Sequence, residues 1–76
     1  MPQQPLDQNM VRAAARIGER FGVRAYPATT VVGGWLIEVV LPQAETQRLS
    51  ADISALAAPF EVRFVDPALR RIVPQS

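Results

Sequence analysis

Two carboxylates, Glu38 and Glu61, are the residues whose type and predicted placement come nearest to catalytic chemistry. On neighbouring strands, such a pair could serve as a general acid and a general base. Arg63 is predicted to lie beside both carboxylates, however, and charge balance explains the three residues more simply than catalysis does. The pair alone therefore does not predict an enzyme.

The residue types that are missing narrow the chemistry further. The chain has no histidine and no cysteine, and all eight of its basic residues are arginine. These absences remove the usual general base near neutral pH, the thiolate nucleophile and the Schiff-base amine. Ser50 and Ser54 would lack a base to activate them, and the seven acidic residues are too scattered to predict a metal site. We therefore expect no catalytic residue, no cofactor, no metal and no small-molecule substrate.

The most regular charged feature is an arginine row, Arg12, Arg16 and Arg20, which Arg24 extends. Its i, i+4, i+8 spacing puts the first three on one helix face. Such a row could bind an acidic protein surface or a phosphate backbone. It could equally be a solvated helix face whose arginine stems cover apolar neighbours. The net charge of +1 gives the chain no general attraction to nucleic acid.

Five elements are predicted to position these side chains. Apolar residues from Met10 to Phe21 recur at helical spacing, and Gly33-Gly34 between two β-rich runs predicts a hairpin turn. Pro27 cannot donate a backbone hydrogen bond, so its strand is predicted at a sheet edge or bulged. The Tyr26–Pro27 bond is the best candidate for a cis peptide. The predicted elements are a helix from Asp7 to Phe21, strands from Val23 to Val32 and from Trp35 to Leu41, a helix between Pro42 and Pro59, and a strand from Phe60 to Val65.

The α-β-β-α-β order predicts a small two-layer α+β domain with an antiparallel-type three-stranded sheet and both helices on one face. This is a ferredoxin-like arrangement that lacks its first strand. Because that strand is central, its absence must be met by another strand order or by a partner strand, since open edges favour association. The predicted boundaries are a flexible lead at residues 1–6, a single domain at 7–66 and a C-terminal tail at 67–76.

Alternation along the strands separates an inner face from an outer sheet face, on which the carboxylate of Glu38 must lie. Apolar groups mixed with charges and a tyrosine favour a protein interface at this face. Glu38 and Arg63 could also be a plain cross-strand pair. We expect Tyr26, Leu36, Val40 and Val65 to form the contact core. The outer sheet face comprises Arg24, Tyr26, Leu36, Glu38, Val40, Glu61, Arg63 and Val65, and all but Arg24 make up the predicted interface.

The sequence as a whole predicts a non-enzymatic protein–protein interaction module, such as an adaptor, an assembly component or an inhibitor. We expect it to form a homodimer through the outer sheet face or an open strand edge, or to join a larger complex. The alternative is a nucleic-acid-associated protein that uses Arg12, Arg16 and Arg20. We expect a cytoplasmic location without membrane contact, because no apolar run approaches the ~20 residues of a membrane span.

Overall fold

A computed structural model describes residues 5–68 of the 76-residue chain. It confirms the α+β class and the predicted order of elements. Most of the predicted lead and tail lies outside the described residues. The elements are helix α1 (Gln8–Phe21), strand β1 (Arg24–Thr29), strand β2 (Trp35–Val40), helix α2 (Gln43–Ala57) and strand β3 (Val62–Val65).

Capping residues define both ends of helix α1. The Oδ1 atom of Asp7 accepts a hydrogen bond from the backbone N–H of Asn9 at 2.8 Å, which is a normal N-cap contact. Gly22 ends the helix with φ of 66°, a left-handed conformation that glycine adopts without a Cβ clash. The helix buries one stripe of side chains, formed by Met10, Ala13, Ala14 and Ile17.

The hairpin between β1 and β2 turns earlier than predicted. The backbone N–H of Gly33 bonds to the carbonyl of Thr30 at 3.1 Å, and the N–H of Thr30 bonds to the carbonyl of Gly34 at 2.9 Å. Gly33 has φ of 90°, so the loop is a three-residue turn with a glycine bulge. Val31 and Val32 therefore lie in the turn, and the predicted extension of β1 to Val32 is wrong.

The sheet is mixed, which corrects the prediction of antiparallel pairing throughout. Its order is β1-β2-β3; β1 pairs antiparallel with β2, and β3 pairs parallel with β2. The parallel pair arises because α2 carries the chain back along the sheet, so β3 starts at the same end as β2. No gap separates β2 from β3, and of the two alternatives the strands have closed up. The ferredoxin-like comparison stays a prediction.

Helix α2 begins with help from outside the helix. Its N-cap, Pro42, makes no side-chain capping bond. Instead the backbone N–H of Gln43 donates to Oδ2 of Asp66 at 3.2 Å, while Oδ1 of Asp66 accepts from the N–H of Ala68 at 2.8 Å. The residue after β3 therefore connects the end of the sheet to the start of α2. Beyond the other end of α2, Ala58–Pro59 is the cis peptide bond of the described range, and Tyr26–Pro27 is trans.

The core lies between the helices and the inner face of the sheet. Ile17 from α1, Ile53 from α2, and Ile37 and Val39 from β2 are fully buried. Burying each such side chain stabilises the fold by about 1.5–3 kcal/mol. Both helices thus cover the same face of the sheet, as predicted, which leaves the outer sheet face on the other side.

Candidate functional site

The strand register places all eight residues of the outer sheet face on one side of the sheet. On β1 and β2, Arg24 is opposite Val40 and Tyr26 is opposite Glu38. In the parallel register Val65 is opposite Val40 and Arg63 is opposite Glu38. Because side chains alternate along a strand, Glu61 lies on the same side, beside Leu36. The face is therefore a grid of three rows: Arg24, Val40 and Val65; Tyr26, Glu38 and Arg63; and Ala28, Leu36 and Glu61.

A hydrogen-bonded network occupies the centre of this grid. Oε2 of Glu38 accepts a hydrogen bond from the Tyr26 hydroxyl at 2.6 Å, and Oε1 accepts one from Arg63 at 2.7 Å. The register explains the network, because Tyr26 and Arg63 are the direct neighbours of Glu38 on the two flanking strands. Glu38 is only 8% exposed, so both bonds offset the cost of burying its charge.

The network argues for a structural role of Glu38. A general base needs an oxygen that can reach a substrate proton. In Glu38 each carboxylate oxygen already accepts a hydrogen bond from a neighbouring strand. Glu61 is exposed, and the ion pairs between described residues join Arg63 to Glu38 and Arg48 to Glu45 without including it. The structure therefore unites Glu38 with Arg63 and leaves Glu61 outside the pair.

Exposure varies across the outer sheet face. Leu36 is only 5% exposed and Glu38 is nearly as buried, so neither offers much surface to a partner. Tyr26, Val40 and Val65 are half-buried. The exposed members are all charged: Arg24, Glu61 and Arg63. The half-buried apolar groups therefore lie at the border of the grid, around the buried carboxylate of Glu38 and beside the exposed charges.

The outer edge of β1 is poorly suited to pairing with another strand. Thr30 and Gly34 form a hydrogen-bonded pair at the turn. Because such pairs alternate along an antiparallel ladder, Tyr26 bonds to β2 and Pro27 faces the outer edge. This position explains why Pro27 is tolerated in the strand, since its missing N–H is not needed by β2. It also removes a donor from the middle of the edge.

The outer edge of β3 is better suited than that of β1 to pairing with another strand. The carbonyl groups of Glu61 and Val65 accept hydrogen bonds from the backbone N–H groups of Ile37 in β2 and of Leu41 just after it, each at 2.9 Å. The residues between them, Val62 and Phe64, therefore direct their backbone groups outward. Within residues 5–68, no backbone hydrogen bond to this edge is present. The edge is short, because β3 has only four residues.

The arginine row is exposed along α1, as its spacing predicts. Arg12, Arg16 and Arg20 all lie on the solvent side of the helix. Arg24 does not continue the row, because it is the first residue of β1 and belongs to the outer sheet face, which the helices do not cover. The structure therefore unites three of the four predicted arginines and places the fourth on the opposite side of the sheet.

The row borders a helix groove between α1 and α2. Three depressions of about 460, 370 and 420 Å³ follow one another along this groove and share Leu56 in their lining. Three carboxylates, Asp7, Glu19 and Asp52, line the same depressions as the arginines. The border of the groove therefore carries both signs of charge in equal number, which weakens its attraction for a phosphate backbone.

Comparison with protein-family models, with curated proteins and with solved structures finds no match to this chain. Neither helix of the described range combines the length and the apolar character that a bilayer span requires. Within residues 5–68, no group of three acidic side chains converges as metal ligands would.

Two features of the structure were not anticipated by the sequence analysis. The first is the apolar hairpin tip at Val31 and Val32, where the β-branched residues resembled a continuing strand. The second is the capping contact of Asp66 with the start of α2. Gly33 is the residue that could have indicated the turn at Val31 and Val32, because a glycine can adopt the positive φ that this turn needs. No local sequence pattern predicts the capping contact, since Asp66 and Gln43 are 23 residues apart.

Proposed function

We propose that this chain is a non-enzymatic protein–protein interaction module and that a second copy of the chain binds at its outer sheet face. The observation that carries the proposal is the layout of exposed charge. Arg24 and Glu61 occupy diagonally opposite corners of the grid, and both are exposed. A face with opposite charges at opposite corners is complementary to itself, which a twofold-symmetric contact requires.

One twofold axis satisfies this charge pattern. An axis in the contact plane, along the diagonal from Val65 to Ala28, would bring Arg24 of each copy against Glu61 of the other. The same rotation would bring the Tyr26 ring of one copy against the Leu36 position of the other. The Val65 side chains would meet on the axis. The two sheets would then cross at a steep angle, as in orthogonal sheet packing.

The size of the face limits the strength of the contact. Two strands of six residues and one of four cover at most roughly 14 Å by 20 Å, or ~280 Å² in projection. A standard interface buries about 800 Å² on each partner. Because Leu36 and Glu38 are buried within the single chain, they add little to this area. The dimer should therefore be weak and should form only as the protein concentration rises.

Sedimentation equilibrium from low micromolar to millimolar concentration tests the proposal. We expect Val65→Asp to raise the dissociation constant by at least about tenfold, because it replaces an apolar contact on the axis by two carboxylates that face each other. Ala51→Asp, at an exposed position on α2, introduces the same charge away from the face and should leave the constant unchanged. An equal effect of the two substitutions, or no effect of Val65→Asp, would count against the outer sheet face.

A charge exchange tests the geometry. Arg24→Glu and Glu61→Arg should each weaken the dimer, because each places like charges at both symmetric contacts. The double variant Arg24→Glu/Glu61→Arg restores opposite charges and should recover the wild-type constant. A double variant as weak as the single variants would refute the diagonal axis.

Nucleic-acid association through Arg12, Arg16 and Arg20 is the weaker alternative. The row is exposed and on one helix face, which supports it. The carboxylates along the helix groove oppose it, because they cancel the positive charge near the row.

A further inference from the structure

The outer edge of β3 presents backbone groups that no backbone group within residues 5–68 uses. Glu61 and Val65 bond toward β2, so Val62 and Phe64 direct their N–H and C=O groups away from the sheet. Each of these two residues offers one donor and one acceptor, and the two are spaced as in any strand. Another extended backbone carries donors and acceptors at the same spacing, so the ligand that fits this edge is an extended segment of protein.

A depression of about 230 Å³ lies beside this edge, between β3 and the first turn of α2. This depression is the edge pocket. Of the described elements, α1 and β1 contribute nothing to its lining, because α1 covers β1 and packs on the other side of α2. A strand added to β3 would therefore pass beside the edge pocket, with every second side chain on the helix side of the sheet. The lining consists of Leu41, Gln43, Thr46, Phe64 and Asp66.

The lining of the edge pocket matches a long basic side chain. Leu41 and Phe64 supply apolar surface, along which an aliphatic stem can lie while its charged end stays polar in its contacts. Asp66 is the one charged side chain among these described residues, so the pocket favours a cation. Its two oxygens accept one hydrogen bond each, from the N–H groups of Gln43 and Ala68. Because a carboxylate has about four acceptor positions, these two bonds leave it able to accept from a guanidinium or an ammonium group.

We propose that the edge of β3 binds an extended segment of a partner protein, which adds a strand to the three-stranded sheet and places an arginine or a lysine in the edge pocket. The backbone bonds provide the affinity, and the edge pocket selects the basic residue. This contact goes beyond the proposed function, because the partner is a different chain. It uses the rim of the sheet, whereas the proposed dimer uses its outer face, so the two contacts do not exclude each other.

The experiment is a titration of the full chain with a peptide, followed by NMR of the backbone amides. The probe is acetyl-Thr-Val-Thr-Arg-Thr-Val-Thr-amide, which has strand-forming residues and reads the same in both directions. We expect saturable shifts of the Val62 and Phe64 amide signals. A peptide with glutamate in place of the arginine should bind at least about tenfold more weakly, because it places a second carboxylate beside Asp66. Equal affinity of the two peptides, or no saturable shift at the edge, would overturn the proposal.

The backbone contact is tested from both sides. Val62→Pro removes an outward N–H without removing a bond to β2, which is the arrangement that Pro27 has in β1. We expect it to weaken the peptide at least about tenfold. Methylation of alternate backbone nitrogens in the peptide removes the same kind of bond without changing the protein. One alternate set should abolish binding and the other should not, so equal effects of the two sets would overturn the proposal.

A pair of lysine variants tests the edge pocket. Gln43→Lys brings a positive charge to the pocket from an exposed position and should weaken the arginine peptide about tenfold. Ala51→Lys adds the same charge at an exposed position of α2 that does not line the pocket, and it should leave the dissociation constant unchanged. Equal effects of the two variants would overturn the pocket assignment. Circular dichroism confirms that each variant keeps its helices.

Three other occupants give distinct results, and each would overturn the proposal. Binding lost in Arg24→Glu, on β1, would place the peptide on the outer sheet face. Tighter binding to Arg70→Ala/Arg71→Ala would mean that residues 69–76 of the same chain compete for the edge pocket. Weaker self-association of Val62→Pro in sedimentation equilibrium would assign the edge to a second copy. Equal peptide affinity of the wild type and Arg24→Glu supports the edge of β3 whether or not the outer-face dimer forms.

Discussion

Replacement of Glu38 by glutamine should destabilise the fold, although the two side chains have the same shape and differ only in one oxygen that becomes an amide nitrogen. The Tyr26 hydroxyl would then bond to a neutral group, and a charge-assisted bond exceeds a neutral one by about 1 kcal/mol. The Arg63 pair is half-exposed, so its loss adds only about 0.5 kcal/mol. Burying the neutral amide costs less free energy than burying the carboxylate, which offsets part of this loss of stability. We therefore expect the free energy of unfolding to fall by about 1 kcal/mol.

Urea unfolding measures this loss through the fluorescence of Trp35, the one tryptophan in the chain. In a domain of this size, 1 kcal/mol lowers Tm by about 4–8 °C. Glu61→Gln is the matched control, because Glu61 is on the same face but exposed; it should change stability by less than about 0.5 kcal/mol. Equal stability of the two variants would refute the reasoning, since it would mean that the network contributes no more than a solvated carboxylate.

Two further predictions concern backbone ends. Asp66→Ala should lower the free energy of unfolding by about 1 kcal/mol, because it leaves the N–H of Gln43 without its acceptor; the exposed Asp52→Ala is the control in the same urea titration, and a matching loss there would contradict the capping role. Gly22→Ala should cost about 1–2 kcal/mol, because φ of 66° is unfavourable for alanine. Gly34→Ala lacks that conformational penalty and should cost less. Thermal melts that rank the two variants in the reverse order would contradict the left-handed conformation of Gly22 at the end of α1.

The outer sheet face could be predicted because the period of a strand is two. Once Glu38 is assigned to the solvent side of β2, every second residue shares that side, and the register with β1 and β3 follows the same alternation. The direction of β3 could not be predicted in this way, because parallel and antiparallel strands alternate identically. The hairpin tip was missed because valine favours strands, whereas the backbone of Gly33 determines where the turn lies.

The position of Pro27 has a consequence for how far copies of this chain can assemble. Two copies that pair β3 to β3 would form a continuous sheet of six strands, twice the three of a single copy. Both outer strands of that sheet would then be β1, and each would present a proline at the middle of its edge. A third copy would find no continuous row of donors at either end. The proline would therefore make strand addition self-terminating, so that such a pair of copies would not grow into a fibre.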